Sequence, residues 1–216
     1  MDRKASVIVR TQASTKVYKS IERETCEQAL TCRIDDDAKL IYLPDPITCF
    51  AKSAFVQQQV FHIHSSSNLM CLDWMSGGRK RMRHAQEQWQ FHRYDSSNVI
   101  YVDNVPIIVD RVVLTNNEAF DLFERMQGCH VFGVLFVLGS EFDAIHRHLA
   151  NKSDRTKSPN VVVQLFEGVH ASISPCIAQE INITGTIVRF AAIEVEPVYN
   201  MLQNMLSLLG YQYNIL

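Results

Sequence analysis

Imidazole side chains occur in two closely spaced pairs that could bind a metal ion. His62 and His64 lie in a segment that alternates like a β-strand, where residues i and i+2 point to the same face, so they could share one ion. His146 and His148 have the same spacing in a predicted helix, where positions i and i+2 diverge. Only the first pair therefore has a geometry that suits a metal site.

A cysteine and a histidine stand side by side at positions 129 and 130. Their thiolate and imidazole are ligands that suit nickel or zinc. No further ligand follows at the spacing of a known zinc motif. The sequence thus offers four weak candidate metal ligands, which are His62, His64, Cys129 and His130.

The stretch RTQASTKVYKS, residues 10–20, contains the Thr, Ser and Lys residues that phosphate-binding loops use. It has no glycine to bring a bare backbone close to phosphate, and Thr15, Val17 and Tyr18 favour a β-strand. The chain also has no G-x-S-x-G or H-E-x-x-H motif, and most of its acidic residues are isolated. The sequence therefore argues against a phosphate loop and indicates no catalytic centre.

Composition restricts the classes of partner. Of the 216 residues, 47% are hydrophobic and 20% charged, and the net charge is −2, so no broad basic field would attract nucleic acid or anionic lipid. No apolar run approaches the roughly 18 residues of a membrane span, and the scattered cysteines are expected to be reduced thiols. We therefore expect a cytoplasmic protein.

The chain has one strongly basic segment, residues 79–84. It predicts either a solvated loop or a contact with an acidic protein surface.

Short segments rich in Val, Ile, Phe and Tyr, separated by polar turns, dominate the sequence and predict β-strands. Three helices are predicted: one capped by Asn116 or Asn117 and ended by Gly128, one over residues 141–149, and a closing one that ends at Gly210. The predicted fold is mainly β, with antiparallel strands and two or three short helices. No linker divides the chain, so residues 1–216 are predicted to form a single domain.

Five stretches of the sequence, taken together, resemble one family. They are TQASTKVYKS (11–20), YLPDPITCF with the following AFVQ (42–57), LDWMSGGR (72–79), EQWQFHRYDSSN (87–98) and GCHVFGVLFVLG (128–139). Their order and approximate spacing are similar to those of the urease accessory protein D family, also called UreD or UreH. The resemblance spans most of residues 7–140.

The chain also departs from the family pattern. Cys49 stands where many members have proline, and Gln86 replaces a glycine within an apparent insertion after Gly78 and Arg79. Family members generally begin with some tens of residues of additional strands before the motif that TQASTKVYKS resembles. From this we expect the UreD-like domain to be incomplete at its N-terminus.

The resemblance implies a non-enzymatic function. Family members bind apo-urease and, with UreF and the GTPase UreG, act as a scaffold or chaperone for nickel insertion into the urease active site. It implies no tightly bound cofactor, because nickel would be in transit through an internal channel, and GTP hydrolysis is expected in UreG. The family fold is predominantly β, in agreement with the strand pattern.

Residues that match the family motifs are the candidates for a partner contact or a channel lining. Pro44 and Pro46 fix backbone φ and shape a turn, and Trp74, Trp89 and Phe50 are expected in the core. Asp73, Glu87 and Lys16 are the polar candidates. The matched residues are Thr11, Gln12, Thr15, Lys16, Tyr18, Leu43, Pro44, Pro46, Phe50, Asp73, Trp74, Glu87, Trp89 and Tyr94.

Two alternatives stay open at this point. A truncated or diverged relative would no longer support urease maturation, and its missing strands would leave a sheet edge exposed. A metal-dependent enzyme would use His62, His64, Cys129 and His130 as ligands and would retain its metal tightly, whereas a scaffold would exchange nickel.

Overall fold

The computed structural model describes residues 1–21, 24–79, 87–116, 121–154, 162–178 and 183–211. Most of them lie in β-strands, as predicted. The strands are β1 Ser6–Arg10, β2 Thr15–Val17, β3 Cys26–Ile34, β4 Lys39–Leu43, β5 Ile47–Cys49, β6 Ala54–Ile63, β7 Asn68–Ser76, β8 Arg93–Val102, β9 Val105–Thr115, β10 Val131–Leu138, β11 Val163–Phe166, β12 Val169–Ala178 and β13 Ile183–Ala192. The α-helices are α1 Leu122–Arg125, α2 Asp143–Asp154 and α3 Val195–Ser207.

The strands form two sheets. The first sheet has nine strands in the order β1-β4-β7-β10-β13-β12-β11, with β5 also paired to β7 and β2 paired to β5. The second sheet has the order β3-β6-β8-β9. Side chains from the inner faces of both sheets share one hydrophobic cluster, which includes Phe61, Ile100, Val134 and Phe136. The sheets therefore pack face to face.

The predicted antiparallel pairing is wrong for half of the fold. The pairs β1/β4, β4/β7, β2/β5, β5/β7, β3/β6 and β6/β8 are parallel. The reason is that the chain changes sheet between consecutive strands: β3, β6 and β8 belong to the second sheet, while the intervening β4, β5 and β7 belong to the first. A strand that returns to its sheet after crossing the other sheet runs parallel to its predecessor.

The first two helices differ from the predicted bounds. Helix α1 begins at Leu122, because the side chain of Asp121 accepts a hydrogen bond from the backbone N–H of Phe123 at 2.9 Å. Asn116 is not the cap, since its Nδ2 donates to the carbonyl oxygen of Trp89, and Asn117 lies outside the described residues. Residues 140–142 form a 3₁₀ turn, and α2 then continues to residue 154, beyond the predicted end at 149.

Strand β7 lies at the centre of the packing. All nine of its residues are buried, as expected of a strand covered on both faces. Met70, Leu72 and Trp74 pack under α2 and α3, whereas Leu69 and Cys71 point between the two sheets. By the alternation of side chains along a strand, Asp73 must also point between the sheets.

Candidate functional site

A carboxylate lies between the two sheets, where apolar packing would otherwise continue. Asp73 of β7 is 5% exposed and accepts hydrogen bonds from four side chains of the second sheet. Ser96 Oγ and Asn98 Nδ2 donate to Oδ2 at 2.6 and 2.7 Å. Gln57 Nε2 and Tyr94 Oη donate to Oδ1 at 3.0 and 3.4 Å. Asp73 of the first sheet is thus the common hydrogen-bond acceptor for four polar side chains of the second sheet.

Strand register explains why these donors meet. Gln57 and Gln59 alternate with outward-facing residues of β6, and β6 is aligned with β8 so that Gln57 is opposite Ser96 and Gln59 is opposite Asn98. All four side chains therefore point to the inner face of the second sheet. We call Asp73, Gln57, Gln59, Tyr94, Ser96 and Asn98 the polar layer. Apolar clusters flank it on both sides, around Phe61 and Ile100 on one side and around Phe55 and Met75 on the other.

The charge state of Asp73 reflects two opposed effects. Burial raises the pKa of its carboxyl group above the usual value, and the hydrogen bonds from Ser96, Asn98, Gln57 and Tyr94 lower it. Burial is the larger effect. Among the described residues no Lys, Arg or His forms an ion pair with Asp73, so its ionised form is stabilised by hydrogen-bond dipoles and not by a cationic side chain. A buried carboxylate in this state would interact favourably with a cation or a proton.

Two amide oxygens of the polar layer have no hydrogen-bond donor among the described residues. They are Gln59 Oε1 and Asn98 Oδ1, and their residues are 2% and 1% exposed. Buried polar atoms are nearly always satisfied, so each of these two oxygens can accept a hydrogen bond from water or contact a cation. These two oxygens and the carboxylate oxygens of Asp73 are of the ligand type that suits a hard cation.

An ion pair bridges the two sheets beside the polar layer. Arg189 Nη2 of β13 lies 2.6 Å from Asp110 Oδ1 of β9. Asp110 is directly opposite Asn98 in the second sheet, while Arg189 and Asp73 are both opposite Val134 in the first. The polar character therefore continues across the interior, from Gln57 on β6 to Arg189 on β13.

Comparison with known proteins identifies the family. The family described as UreD urease accessory protein matches residues 1–214. The chain belongs to the UreD family of urease accessory proteins. It is 32% identical over 212 residues to urease accessory protein D of Oryza sativa subsp. indica, which covers 92% of this chain and 68% of the relative.

Other similar proteins bear the same family name. Urease accessory protein D of Arabidopsis thaliana is 32% identical over 217 residues, covering 94% of this chain and 72% of the relative. Urease accessory protein UreD of Halalkalibacterium halodurans is 32% identical over 127 residues, covering 58% of this chain and 46% of the relative. The resemblance predicted from the motifs is therefore confirmed, and the family assigns the chain to urease accessory proteins.

Three motifs that carry the UreD resemblance converge on the polar layer. Asp73 comes from LDWMSGGR, Gln57 from AFVQ, and Tyr94, Ser96 and Asn98 from EQWQFHRYDSSN. Asp73 and Tyr94 were predicted as site residues from the sequence. Gln57, Gln59, Ser96 and Asn98 were missed, although polar residues at alternate positions between Phe55 and Phe61 are a signal that could have found the glutamines.

Both predicted tryptophans lie in the core, as expected. Trp74 is 1% exposed, donates from Nε1 to the carbonyl oxygen of Pro44 at 2.7 Å, and packs edge-on against Tyr199. Trp89 is equally buried and donates from Nε1 to the carbonyl oxygen of Cys129 at 3.0 Å. Glu87 is half-buried close to Trp89 in the chain, and it is not among the residues that contact Asp73.

Thr11, Gln12 and Pro46 line a separate surface cavity of about 440 Å³ between the start of the chain and α3. Asp45 lies in its wall and accepts hydrogen bonds from Thr11 Oγ1 at 3.0 Å and Tyr199 Oη at 2.6 Å. These bonds attach the first motif to the last helix. The cavity therefore joins segments that are distant in sequence, and it is distinct from the polar layer.

Strand β2 and the residue that follows it carry the remaining predicted residues of the first motif. Thr15 is half-buried, while Lys16 and Tyr18 are exposed to solvent. The structure does not bring Lys16 to the polar layer. Of the basic segment 79–84, only Arg79 belongs to the described residues, and its guanidinium lies 4.5 Å from the ring centre of Phe50.

The candidate metal ligands form two separate pairs. His62 and His64 line a shallow cavity of about 200 Å³ where β6 ends, and His64 Nδ1 is 3.1 Å from Asp36 Oδ1. Cys129 and His130 precede β10, next to the end of β7. The two pairs are separated by about the length of β7, roughly 25–30 Å at ~3.3 Å per residue. In the described part of the chain, no three His, Cys, Asp or Glu residues are grouped so as to hold a metal ion.

The structure also bears on the membrane question. No helix in the described ranges is long and apolar enough to span a bilayer.

Proposed function

We propose that this protein is a urease maturation scaffold that binds apo-urease and, together with UreF and UreG, supports insertion of nickel into the urease active site. The observation that carries the proposal is membership of the UreD family over residues 1–214, with three of its motifs meeting at one buried carboxylate. In this role the protein is not itself an enzyme, and GTP is hydrolysed by UreG. It acts in the cytoplasm, with no nucleic-acid or membrane partner.

The polar layer supports passage of nickel through the interior of the protein. The oxygen atoms that would contact the ion belong to the carboxylate of Asp73 and to the amide groups of Gln59 and Asn98. Oxygen ligands suit hard cations, whereas imidazole and thiolate hold nickel more firmly. An oxygen-only path would bind the ion weakly and release it, as a conduit requires. Nickel is therefore cargo in this proposal, and no metal is tightly retained.

The decisive experiment is urease activation in a host that lacks its own UreD. The gene for this chain would be co-expressed with urease, UreF and UreG from a matched host, and urease activity and its nickel content would be measured. We expect active, nickel-loaded urease with the wild-type chain. Pull-down of UreF or apo-urease provides the independent binding readout, and absence of both binding and activation would refute the proposal.

Variants of Asp73 test the nickel path separately from the scaffold role. Asp73→Asn removes the negative charge with little change of shape, and Asp37→Asn is a matched control in an exposed turn. We expect Asp73→Asn to lower nickel occupancy of urease at limiting nickel while retaining UreF binding. Equal occupancy for the wild type and both variants would refute transit along the polar layer and leave the scaffold role standing.

A further inference from the structure

Aromatic and basic side chains lie on neighbouring segments at the surface around β2. Tyr18 is 65% exposed, and its ring packs edge-on against Phe50 with the ring centres 5.3 Å apart. The guanidinium of Arg79 lies over the Phe50 ring, 4.5 Å from its centre. We call the surface formed by these side chains and their basic neighbours the basic aromatic patch; its members are Lys16, Tyr18, Lys19, Phe50, Lys52 and Arg79.

Backbone hydrogen bonds fix the segments of the patch to one another. The N–H of Phe50 donates to the carbonyl oxygen of Val17 at 3.0 Å, and the N–H and Oγ of Ser20 both donate to the carbonyl oxygen of Lys52. Because Val17 is buried, Lys16 and Tyr18 on either side of it point outward together. The rings and ammonium groups are therefore carried by two segments that are hydrogen-bonded to each other.

The charges of the patch have one sign. Lys16, Lys19, Lys52 and Arg79 are exposed, and within the described ranges none of the four forms an ion pair. Elsewhere in the same ranges, exposed cations such as Arg3, Arg93 and Arg111 are paired with Asp36 or Asp95. The side chains of the patch thus carry four positive charges on a chain whose net charge is −2.

We propose that the basic aromatic patch is a docking surface for an acidic protein surface belonging to a partner in urease maturation. Tyr and Arg are among the residue types most enriched at energetic hot spots of protein interfaces, and a ring-stacked Arg loses little freedom on binding. The four cations of the patch attract an acidic partner and orient its approach. This inference rests on the proposed function, because it names the surface that one of the partners uses.

A protein partner fits the geometry better than nucleic acid does. Proteins that hold single strands present aromatic faces on which successive bases stack along a basic groove. Here Tyr18 and Phe50 pack against each other at 74°, so each ring blocks part of the other, and Arg79 covers Phe50. What stays accessible is one tyrosine ring on a surface that also carries exposed lysines, which suits an apolar side chain flanked by carboxylates.

Binding measurements on the whole 216-residue chain test the proposal. Purified UreF and apo-urease from the matched host serve as probes, and a duplex DNA fragment serves as the alternative. The variants are Tyr18→Ala and the double charge reversal Lys19→Glu with Lys52→Glu. The control is Lys4→Glu, since Lys4 and Lys52 are both exposed and share a positive φ, of 60° and 62°.

We expect each patch variant to weaken the binding of UreF or of apo-urease by about tenfold or more, and the control to remain within about twofold of wild type. Wild-type binding should also weaken with added NaCl more steeply than that of the charge-reversed variant. Because the altered side chains are exposed, melting temperatures should be unchanged.

Unchanged affinity of both patch variants for a protein that the wild type binds would overturn this inference and leave the proposed function intact. Loss of DNA binding without loss of protein binding would overturn it as well. If the wild-type chain binds neither UreF nor apo-urease, the docking surface is refuted, and the urease activation experiment then decides whether the proposed function stands.

Discussion

Asp73 of the first sheet and Asn98 of the second are joined by a hydrogen bond of 2.7 Å through the middle of the protein, from Asn98 Nδ2 to Asp73 Oδ2. This bond lies in a region where both neighbouring side-chain layers are apolar. Because burial raises the pKa of this carboxyl group more than its hydrogen bonds lower it, ionisation of Asp73 lowers the stability of the fold. Such a cost is typical of sites retained for function.

The first prediction concerns the pH dependence of stability at Asp73. Because its pKa is raised in the folded state, the folded protein holds this proton more tightly than the unfolded chain does. The free energy of unfolding should therefore fall as pH rises from about 4 through the folded pKa, and then level off. Asp73→Asn removes this titrating group, so the difference in the free energy of unfolding between wild type and variant should shrink toward low pH.

Urea denaturation at a series of pH values measures this difference. The Asp37→Asn control, in an exposed turn, should follow the wild-type profile. If the wild type and Asp73→Asn gave parallel profiles between about pH 4 and 8, the raised pKa would be wrong.

The second prediction concerns the close packing of β10 on β7. Gly133 stands opposite Trp74, and a β-carbon at this position would lie 2.6 Å from Trp74 Cβ and 2.9 Å from the carbonyl oxygen of Asp73. These atoms belong to, or adjoin, the backbone of a central strand, which cannot move aside. Gly133→Ala should therefore lower the free energy of unfolding by about 3 kcal/mol or more.

A second glycine provides the control for this substitution. Gly128 has a φ of +83°, but a β-carbon at its position would meet no atom of the described residues within 4 Å, so Gly128→Ala adds backbone strain without a clash. Gly128→Ala should therefore lower the free energy of unfolding by about 1–2 kcal/mol. Equal melting temperatures for the two variants would contradict the close packing of Gly133.

The sequence predicted where the strands are but not how they pair. Alternation in residues 54–63 identifies β6, because a strand exposed on one face must alternate. The parallel alignment of β3, β6 and β8 depends on the chain changing sheet between them, and no local pattern of residues encodes that change. The same holds for the site: Asp73 was identified through its motif, whereas its pairing with Asn98 follows from a register between strands that only the folded protein defines.

The third prediction concerns His146, which is buried between α2 and β13. Its Nε2–H donates to the carbonyl oxygen of Gly139 at 3.2 Å, which leaves Nδ1 to accept from Thr186 Oγ1 at 2.8 Å. Burial lowers the pKa of His146, opposed in part by the Gly139 carbonyl and Asp143. The unfolded chain therefore binds this proton more readily, and stability should fall as pH drops below about 6.5.

Replacement by glutamine should reduce that loss. His146→Gln is expected to flatten the decline in the free energy of unfolding between about pH 7 and 5, as followed by urea denaturation. The control is His170→Gln, at an exposed position of β12. His148, whose pKa is also lowered by burial, is retained in both variants, so it does not affect the comparison. A slope equal to that of wild type would show that His146 is not buried as a neutral ring.

The fourth prediction concerns the ion pair that joins the two sheets. Arg189→Met keeps much of the side-chain length but leaves the side chain of Asp110, 9% exposed, without its cation. Since Arg189 itself is 45% exposed, the pair is partly screened, and the loss should be about 1–2 kcal/mol in the free energy of unfolding. Adding Asp110→Asn removes the unpaired charge, so the double variant should recover part of that loss. A double-mutant cycle by urea denaturation measures the coupling, and strictly additive single-variant effects would show that the contact does not hold the sheets together.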